Sequence, residues 1–120
     1  FSKSLNYEIM RAKDLIYLDQ RDKKIEEVEI QAIRIDNGAI VSLPGEIFVE
    51  FGLKIKKNSK FRPTLVIELS NSEVGYIPTK EAFSQTTGQE QRTSRYNRLA
   101  PEAGDLITDT AIRLLKEIED

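Results

Sequence analysis

Apolar residues near both ends of the chain recur every three or four positions, which is the spacing of an amphipathic helix. The first such segment extends from Ser4 to Leu18, and the second begins near Pro101, a residue that suits a first helical turn. We therefore predict amphipathic helices at both termini. The positions on their apolar faces are Leu5, Ile9, Ala12 and Ile16 in the first, and Ala103, Leu106, Ile107, Thr110, Ala111, Leu114, Leu115 and Ile118 in the second.

The period changes to two after Glu27, which is typical of a strand with one buried face. The residues on that face are Val28, Ile30 and Ala32. Asn37-Gly38 follows, and this pair favours a hairpin turn in which both central residues have positive φ. The pattern predicts an antiparallel hairpin between residues 27–35 and 39–43.

A helix and a further strand follow the hairpin. Pro44-Gly45 interrupts the second strand, and Glu46 is expected to open the helix, whose dipole would favour a charged carboxylate at that end. Arg62-Pro63 prevents the helix from restarting, and an apolar strand comes next. A strand, a helix and a strand in this order predict a parallel crossover. The expected fold is α/β, with a mixed sheet built from an antiparallel hairpin (27–35/39–43) and a βαβ crossover (39–43, 46–57, 64–69).

The segment after the crossover is predicted to begin with a short strand and to continue as a polar stretch. Residues 74–77 are expected to be extended, and Thr79 suits the N-cap of a brief helix. Residues 84–97 contain Tyr96 as their only large apolar residue, a composition typical of either a functional lid or a disordered segment. The arginines around Tyr96 form either an anion- or head-group-binding cluster or part of a solvated loop. They are Arg92, Arg95 and Arg98.

Composition limits the classes of function. The 120 residues are 39% hydrophobic and 32% charged, which suits one globular domain. No apolar run is long enough for a transmembrane segment, and the net charge of −2 argues against a nucleic-acid partner. Because the sequence starts at Phe1 with neither an initiator Met nor a signal peptide, we expect it to be part of a longer protein.

The chain contains no His and no Cys. Histidine is the commonest metal ligand and the usual general base near neutral pH. A catalytic zinc site normally takes about three protein ligands, generally including His. We therefore expect that residues 1–120 cannot form the usual zinc site on their own.

Glu46 and Tyr76 are the candidate site residues. Each follows an apolar strand at a point where Pro or Gly takes the chain out of the sheet. Side chains at the carboxyl ends of neighbouring strands lie at pocket edges in α/β proteins, so we expect both to face one site. The alternatives are an ordinary first-turn carboxylate for Glu46 and a half-buried strand aromatic for Tyr76.

Three segments, taken in this order and spacing, resemble the neutral/alkaline, non-lysosomal ceramidase family, in particular its bacterial branch. They are Leu43-Pro44-Gly45-Glu46, the run from Gly75 to Phe83 (Gly-Tyr-Ile-Pro-Thr-Lys-Glu-Ala-Phe) and the run from Ser94 to Gly104 (Ser-Arg-Tyr-Asn-Arg-Leu-Ala-Pro-Glu-Ala-Gly). The resemblance covers the chain from about Glu27 onward. Members are zinc-dependent amidases that split ceramide into a fatty acid and sphingosine. The resemblance implies that Glu46 and Tyr76 are zinc ligands.

The same resemblance implies that parts of the site come from elsewhere. The family's other zinc ligands are His residues, and these and its catalytic Ser lie upstream. Residues 1–120 are thus expected to be a single domain, the C-terminal portion of a larger ceramidase-like catalytic domain that is inactive alone and holds no catalytic residue of its own. Gln89 stands where the family has a Tyr that helps to polarise the scissile carbonyl, so the substrate is expected to be another amide or an ester in place of ceramide. The candidate substrate-binding residues are Gln89, Arg92 and Arg95.

The expected partners follow from this interpretation. They are the upstream segment that supplies the His ligands, an amide or lipid substrate and, through an exposed sheet surface, a second copy of the chain. The resemblance implies an extracellular or periplasmic location. The alternative function is a non-catalytic carbohydrate- or protein-binding module derived from the same fold.

Overall fold

A computed structural model describes residues 2–85, 88 and 92–119. It has an α/β fold, as predicted, with helices near both termini and a mixed sheet between them. The elements are α1 (Ser2–Asp19), β1 (Gln31–Ile35), β2 (Gly38–Ser42), β3 (Glu46–Ile47), α2 (Val49–Asn58), β4 (Thr64–Ile67), β5 (Tyr76–Ile77), α3 (Lys80–Ser84) and α4 (Ala103–Glu117).

The main sheet has three strands in the order β1-β2-β4. Strands β1 and β2 pair antiparallel, and β2 and β4 pair parallel with α2 between them in sequence, so the predicted hairpin and crossover are confirmed. Strand β1 begins at Gln31, four residues later than expected. Val28 and Ile30, which precede it, nevertheless pack against the core on the predicted face together with Ala32.

The hairpin turn differs from the prediction by one position. Strand β1 ends at Ile35 and β2 begins at Gly38, so Asp36 and Asn37 form the loop. Asp36 adopts a φ of 54°, whereas Gly38 does not have positive φ. Gly38 is instead constrained by space, because a Cβ there would lie 3.2 Å from the carbonyl oxygen of Pro63.

The expectation that Glu46 opens a helix is wrong. Glu46 lies in β3, and α2 begins three residues later at Val49. The backbone N–H of Glu46 donates to the carbonyl oxygen of Gly75 at 3.0 Å, and that of Phe48 donates to the carbonyl of Ile77 at 3.1 Å. Pairing with β5 therefore satisfies the backbone here, and Glu46 lies outside the first turn of α2, whose acidic residue is Glu50.

The core lies between one face of the main sheet and helices α2 and α4. Its fully buried side chains come from all three elements, and α2 and α4 meet where Gly104 packs against the ring of Phe51. Thr79 caps α3 as predicted, since its hydroxyl accepts a hydrogen bond from Ala82 N–H at 3.2 Å. The core side chains with no exposed surface are Val41, Leu43, Ile55, Ala111 and Leu115.

Two apolar surfaces are exposed among the described residues. The outer face of the main sheet carries large side chains that are 45% to 61% exposed, namely Ile33, Ile35, Leu65 and Ile67. The predicted apolar stripe of α1 is also exposed, including Leu5, Ile9 and Ile16. Helix α1 forms where the periodicity predicts it, yet it does not bury that stripe in the core. Among the described residues, no helix has both the length and the apolar character needed to cross a membrane.

Candidate functional site

Glu46 and Tyr76 lie side by side in a separate two-stranded parallel sheet formed by β3 and β5. The register pairs Glu46 with Tyr76 and Ile47 with Ile77. Residues paired in register on neighbouring strands project their side chains to the same face of a sheet. The isoleucines are turned into the core and the Glu–Tyr pair is half-buried on the other face, so the structure brings the two predicted site residues together.

Two glycines allow the strands to approach this closely. A Cβ at Gly45 would lie 2.6 Å from the carbonyl oxygen of Gly75. Gly75 has a φ of +82°, and a Cβ there would collide with the backbone carbonyl of Tyr96. Gly75 requires glycine because of both its positive φ and the close Tyr96 carbonyl, whereas Gly45 requires it because of space alone. These two positions set how closely β3, β5 and the segment that carries Tyr96 approach one another.

Tyr96 is a third residue of the site, and its place there was not predicted from the sequence. Its hydroxyl donates a hydrogen bond to Oε1 of Glu46 at 2.5 Å. Its ring lies edge-on to that of Tyr76, with 5.7 Å between centroids and 76° between planes. The available signal in the sequence was its isolation, because Tyr96 is the one large apolar residue in the polar segment 84–97.

Side-chain hydrogen bonds hold the segment around Tyr96 against β5. The amide oxygen of Asn97 accepts from Tyr76 N–H at 3.3 Å. Ser94 and Asn97 close a turn, in which Ser94 N–H donates to the Asn97 carbonyl and Asn97 N–H donates to Ser94 Oγ, each at 3.0 Å. Arg98 then connects the segment to Glu26 through an ion pair of 2.7 Å. The position of Tyr96 is thus set from both sides along the chain.

The site is acidic. The pKa of the Tyr96 phenol is raised well above its ordinary value, first because it donates to Glu46, and further by burial and by the charges of Glu46 and Glu73. Burial also raises the pKa of Glu68, and the nearby charge of Glu46 adds to that shift. Within the described ranges, none of these three carboxylates forms an ion pair with Lys or Arg. A region with this charge favours a cation.

The oxygen donors brought together here are fewer than a complete metal site needs. The carboxylate of Glu46 and the phenol of Tyr76 are both oxygen donors on one face of one sheet. Over the residues that the structure describes, no cluster of three or more His, Cys, Asp or Glu side chains could hold a metal ion. A metal site that used Glu46 and Tyr76 would therefore need further ligands.

The arginines of the polar segment contact α1. Arg92 Nη1 donates to the hydroxyl of Tyr7 at 2.7 Å, and its guanidinium lies over the Tyr7 ring. Arg95 pairs with Asp14 at 2.9 Å and lies 4.3 Å from the centre of the Tyr17 ring. Both residues thus connect α1 to the segment that carries Tyr96. Gln89, the third candidate substrate-binding residue, lies outside the described residues.

A cavity of about 460 Å³ lies between α1 and residues 92–97. It is open to solvent and reaches the two tyrosines of the site. The residues that matter for its chemistry are Tyr7, Met10, Arg11, Asp14, Tyr76, Arg92 and Tyr96.

Comparisons with protein-family models, with curated proteins and with solved structures find no match.

Proposed function

We propose that this chain forms part of a ceramidase-like, zinc-dependent hydrolase that cleaves an amide or ester bond in a lipid-like substrate. One observation carries the proposal: Glu46 and Tyr76, which the motif resemblance marks as zinc ligands, are cross-strand partners on one face of the β3–β5 sheet. Thirty residues separate them in sequence, so their proximity depends on the fold. The negative charge around them supports the binding of a cation.

The proposed ligands suit zinc chemically. A carboxylate is ionised near neutral pH, whereas a phenol with an ordinary pKa of about 10 binds as phenolate beside a strong cation. Since the chain has no His, the remaining ligands would come from residues outside these 120. We propose that an upstream part of the same protein supplies them, so the chain alone would be inactive.

In this proposal Glu46 and Tyr76 would hold the metal, and Tyr96 would orient the carboxylate of Glu46. Bound zinc would polarise the scissile carbonyl and activate a water molecule. Hydrolysis adds the hydroxyl of that water to the acyl carbon, breaks the bond from that carbon to nitrogen or oxygen, and leaves a proton on the departing group. Tyr96 engages Oε1 of Glu46, and Oε2 has no hydrogen-bond partner among the described residues, which leaves it for a metal.

The experiment is a zinc measurement on the complete protein by elemental analysis, together with amide hydrolysis. Glu46→Gln and Tyr76→Phe should each lower the zinc content and the hydrolysis rate. Glu50→Gln, which changes an exposed carboxylate at the start of α2, is the matched control and should leave both unchanged. Wild-type zinc content in both site variants would refute the proposal.

A second candidate is a non-catalytic carbohydrate- or protein-binding module whose zinc site has been lost. Gln89, at the position of the family's carbonyl-polarising Tyr, is the observation that favours it. The uncovered outer face of the main sheet is compatible with either candidate, because it can contact the rest of the parent protein or a second copy. Zinc in the complete wild-type protein would support the hydrolase, and its absence there would support the binding module.

A further inference from the structure

The cavity beside the site has the size and position of a substrate subsite. Its volume of about 460 Å³ falls within the roughly 300–1,000 Å³ of small-molecule sites. Tyr76 and Tyr96 line it, and Tyr76 pairs with Glu46 while Tyr96 hydrogen-bonds to it. A molecule held in the cavity would therefore have one end close to the proposed zinc ligands.

The wall that α1 and Arg92 contribute is cationic. Arg11 lines the cavity and has no hydrogen bond or ion pair with any described residue. Arg92 donates a hydrogen bond from Nη1 to the hydroxyl of Tyr7, and its other guanidinium N–H groups can donate to a ligand. The carboxylate in the same wall, Asp14, is already neutralised by Arg95 at 2.9 Å. This side of the cavity thus attracts an anion, in contrast to the acidic side around Glu46.

The remaining wall suits an apolar group. The rings of Tyr7 and Tyr96 and the thioether of Met10 line the cavity and present apolar, polarisable surface to it. An acyl chain can lie along these surfaces while an attached carboxylate reaches the guanidinium groups.

We propose that the cavity binds acylated compounds that carry a carboxylate, such as N-acyl amino acids. The carboxylate lies at Arg11 and Arg92, the acyl chain contacts Tyr7, Tyr96 and Met10, and the amide bond points toward Glu46 and Tyr76. A neutral lipid amide would leave Arg11 without a partner. This inference rests on the proposed function for the bond that is cleaved, although the binding itself requires no zinc.

Calorimetric titration of the 120-residue chain tests the inference with two ligands of equal acyl length. N-octanoylglycine carries a carboxylate, and N-octanoylethanolamine is neutral. We expect the glycine compound to bind roughly tenfold more tightly, the effect of one charge-assisted contact. Arg11→Gln should remove most of that preference. Lys13→Gln removes the same charge from α1 outside the cavity lining and should preserve it.

Equal affinity for the two compounds, a preference that survives Arg11→Gln, or no binding of either compound would overturn the inference. Circular dichroism checks that Arg11→Gln keeps its helix content, and Arg11→Lys, which retains the charge, should keep part of the preference. The zinc content of the complete protein separates the two proposals. A carboxylate preference without zinc refutes the hydrolase alone, and zinc without the preference refutes this inference alone.

Discussion

The hydroxyl of Tyr96 donates a hydrogen bond to Glu46 Oε1 at 2.5 Å, although the two residues lie 50 positions apart in sequence. The contact depends on the pairing of β3 with β5 and on the turn from Ser94 to Asn97. It occupies one oxygen of a carboxylate that we propose as a zinc ligand, and it thereby fixes the direction of the other. Residues that orient a metal ligand in this way are an integral part of metal sites.

Tyr96→Phe should weaken zinc binding by the complete protein without unfolding it. The substitution removes the hydroxyl that orients Glu46 and keeps the ring that contacts Tyr76. Loss of such an orienting contact typically lowers metal affinity roughly 10- to 100-fold. Competition with a chelator measures the change. Tyr17→Phe, on α1, is the control, and an affinity equal to wild type in Tyr96→Phe would show that this hydrogen bond does not orient the ligand.

Gly75→Ala should destabilise the chain. The new Cβ would collide with the Tyr96 carbonyl, and the backbone would need a φ of +82° that alanine rarely adopts. We expect a loss of about 1–3 kcal/mol in the free energy of unfolding, measured by urea denaturation.

Gly52→Ala provides the matched control for that experiment. Gly52 lies within α2, and apart from its chain neighbours and the nearby backbone of its own helix, no atom of the described residues lies within 4 Å of a Cβ built there. Alanine in a helix interior should stabilise the protein by about 0.5–1 kcal/mol relative to glycine. A destabilisation of equal size in both variants would mean that the close approach at Gly75 has no special role.

Thr108→Val should raise stability. Thr108 is fully buried in α4, and its hydroxyl has no hydrogen-bond partner within the described part of the chain. An unpaired buried polar group costs roughly 1–3 kcal/mol, so replacing it with a methyl group of similar size should gain on the order of 1 kcal/mol. Thr110→Val, at a half-buried position of the same helix, controls for the change in helix propensity. A lower melting temperature for Thr108→Val would mean that its hydroxyl is hydrogen-bonded.

The Glu26–Arg98 pair should make stability depend on acidic pH. The hydrogen bond from Arg98 holds the pKa of Glu26 below its ordinary 4.5, with Arg21 adding to the effect. Because the folded pKa lies below the unfolded one, the contribution is complete above about pH 4.5 and is lost as pH falls through the folded value.

Denaturation curves recorded between pH 7 and pH 3 check this dependence. Glu26→Gln cannot titrate, so it should lose less stability on acidification than the wild type does. Glu29→Gln, at a neighbouring exposed position, should behave as the wild type. Parallel acid profiles for Glu26→Gln and the wild type would count against the role of this pair.

Periodicity and turn chemistry were sufficient to predict the main elements. The hairpin, the crossover and both terminal helices depend on patterns local to each segment, and the Thr79 cap is a local side-chain contact. The start of α2 was predicted wrongly, at Glu46 in place of Val49. The backbone N–H of Glu46 donates to the carbonyl of Gly75, and this tertiary contact overrides the local preference after Pro44-Gly45.

The site was predictable in part. Glu46 and Tyr76 could be paired from their positions after apolar strands, whereas their roles as zinc ligands stay a prediction. Tyr96 could not be assigned, because its contact with Glu46 arises from a turn made by side-chain hydrogen bonds of Ser94 and Asn97. The exposure of the apolar stripe of α1 could not be predicted either. Periodicity shows that a helix has an apolar face, but it does not show what covers that face.

Helix α1 contacts residues 92–97 through an ion pair, a hydrogen bond and stacked guanidinium groups, while its apolar stripe stays in water. Such contacts weaken as ionic strength rises, whereas the packing between α2, α4 and the sheet does not. Concentrated salt should therefore detach one side of the binding cavity while the folded body persists, so ligand uptake and global unfolding would report on separate parts of the same chain.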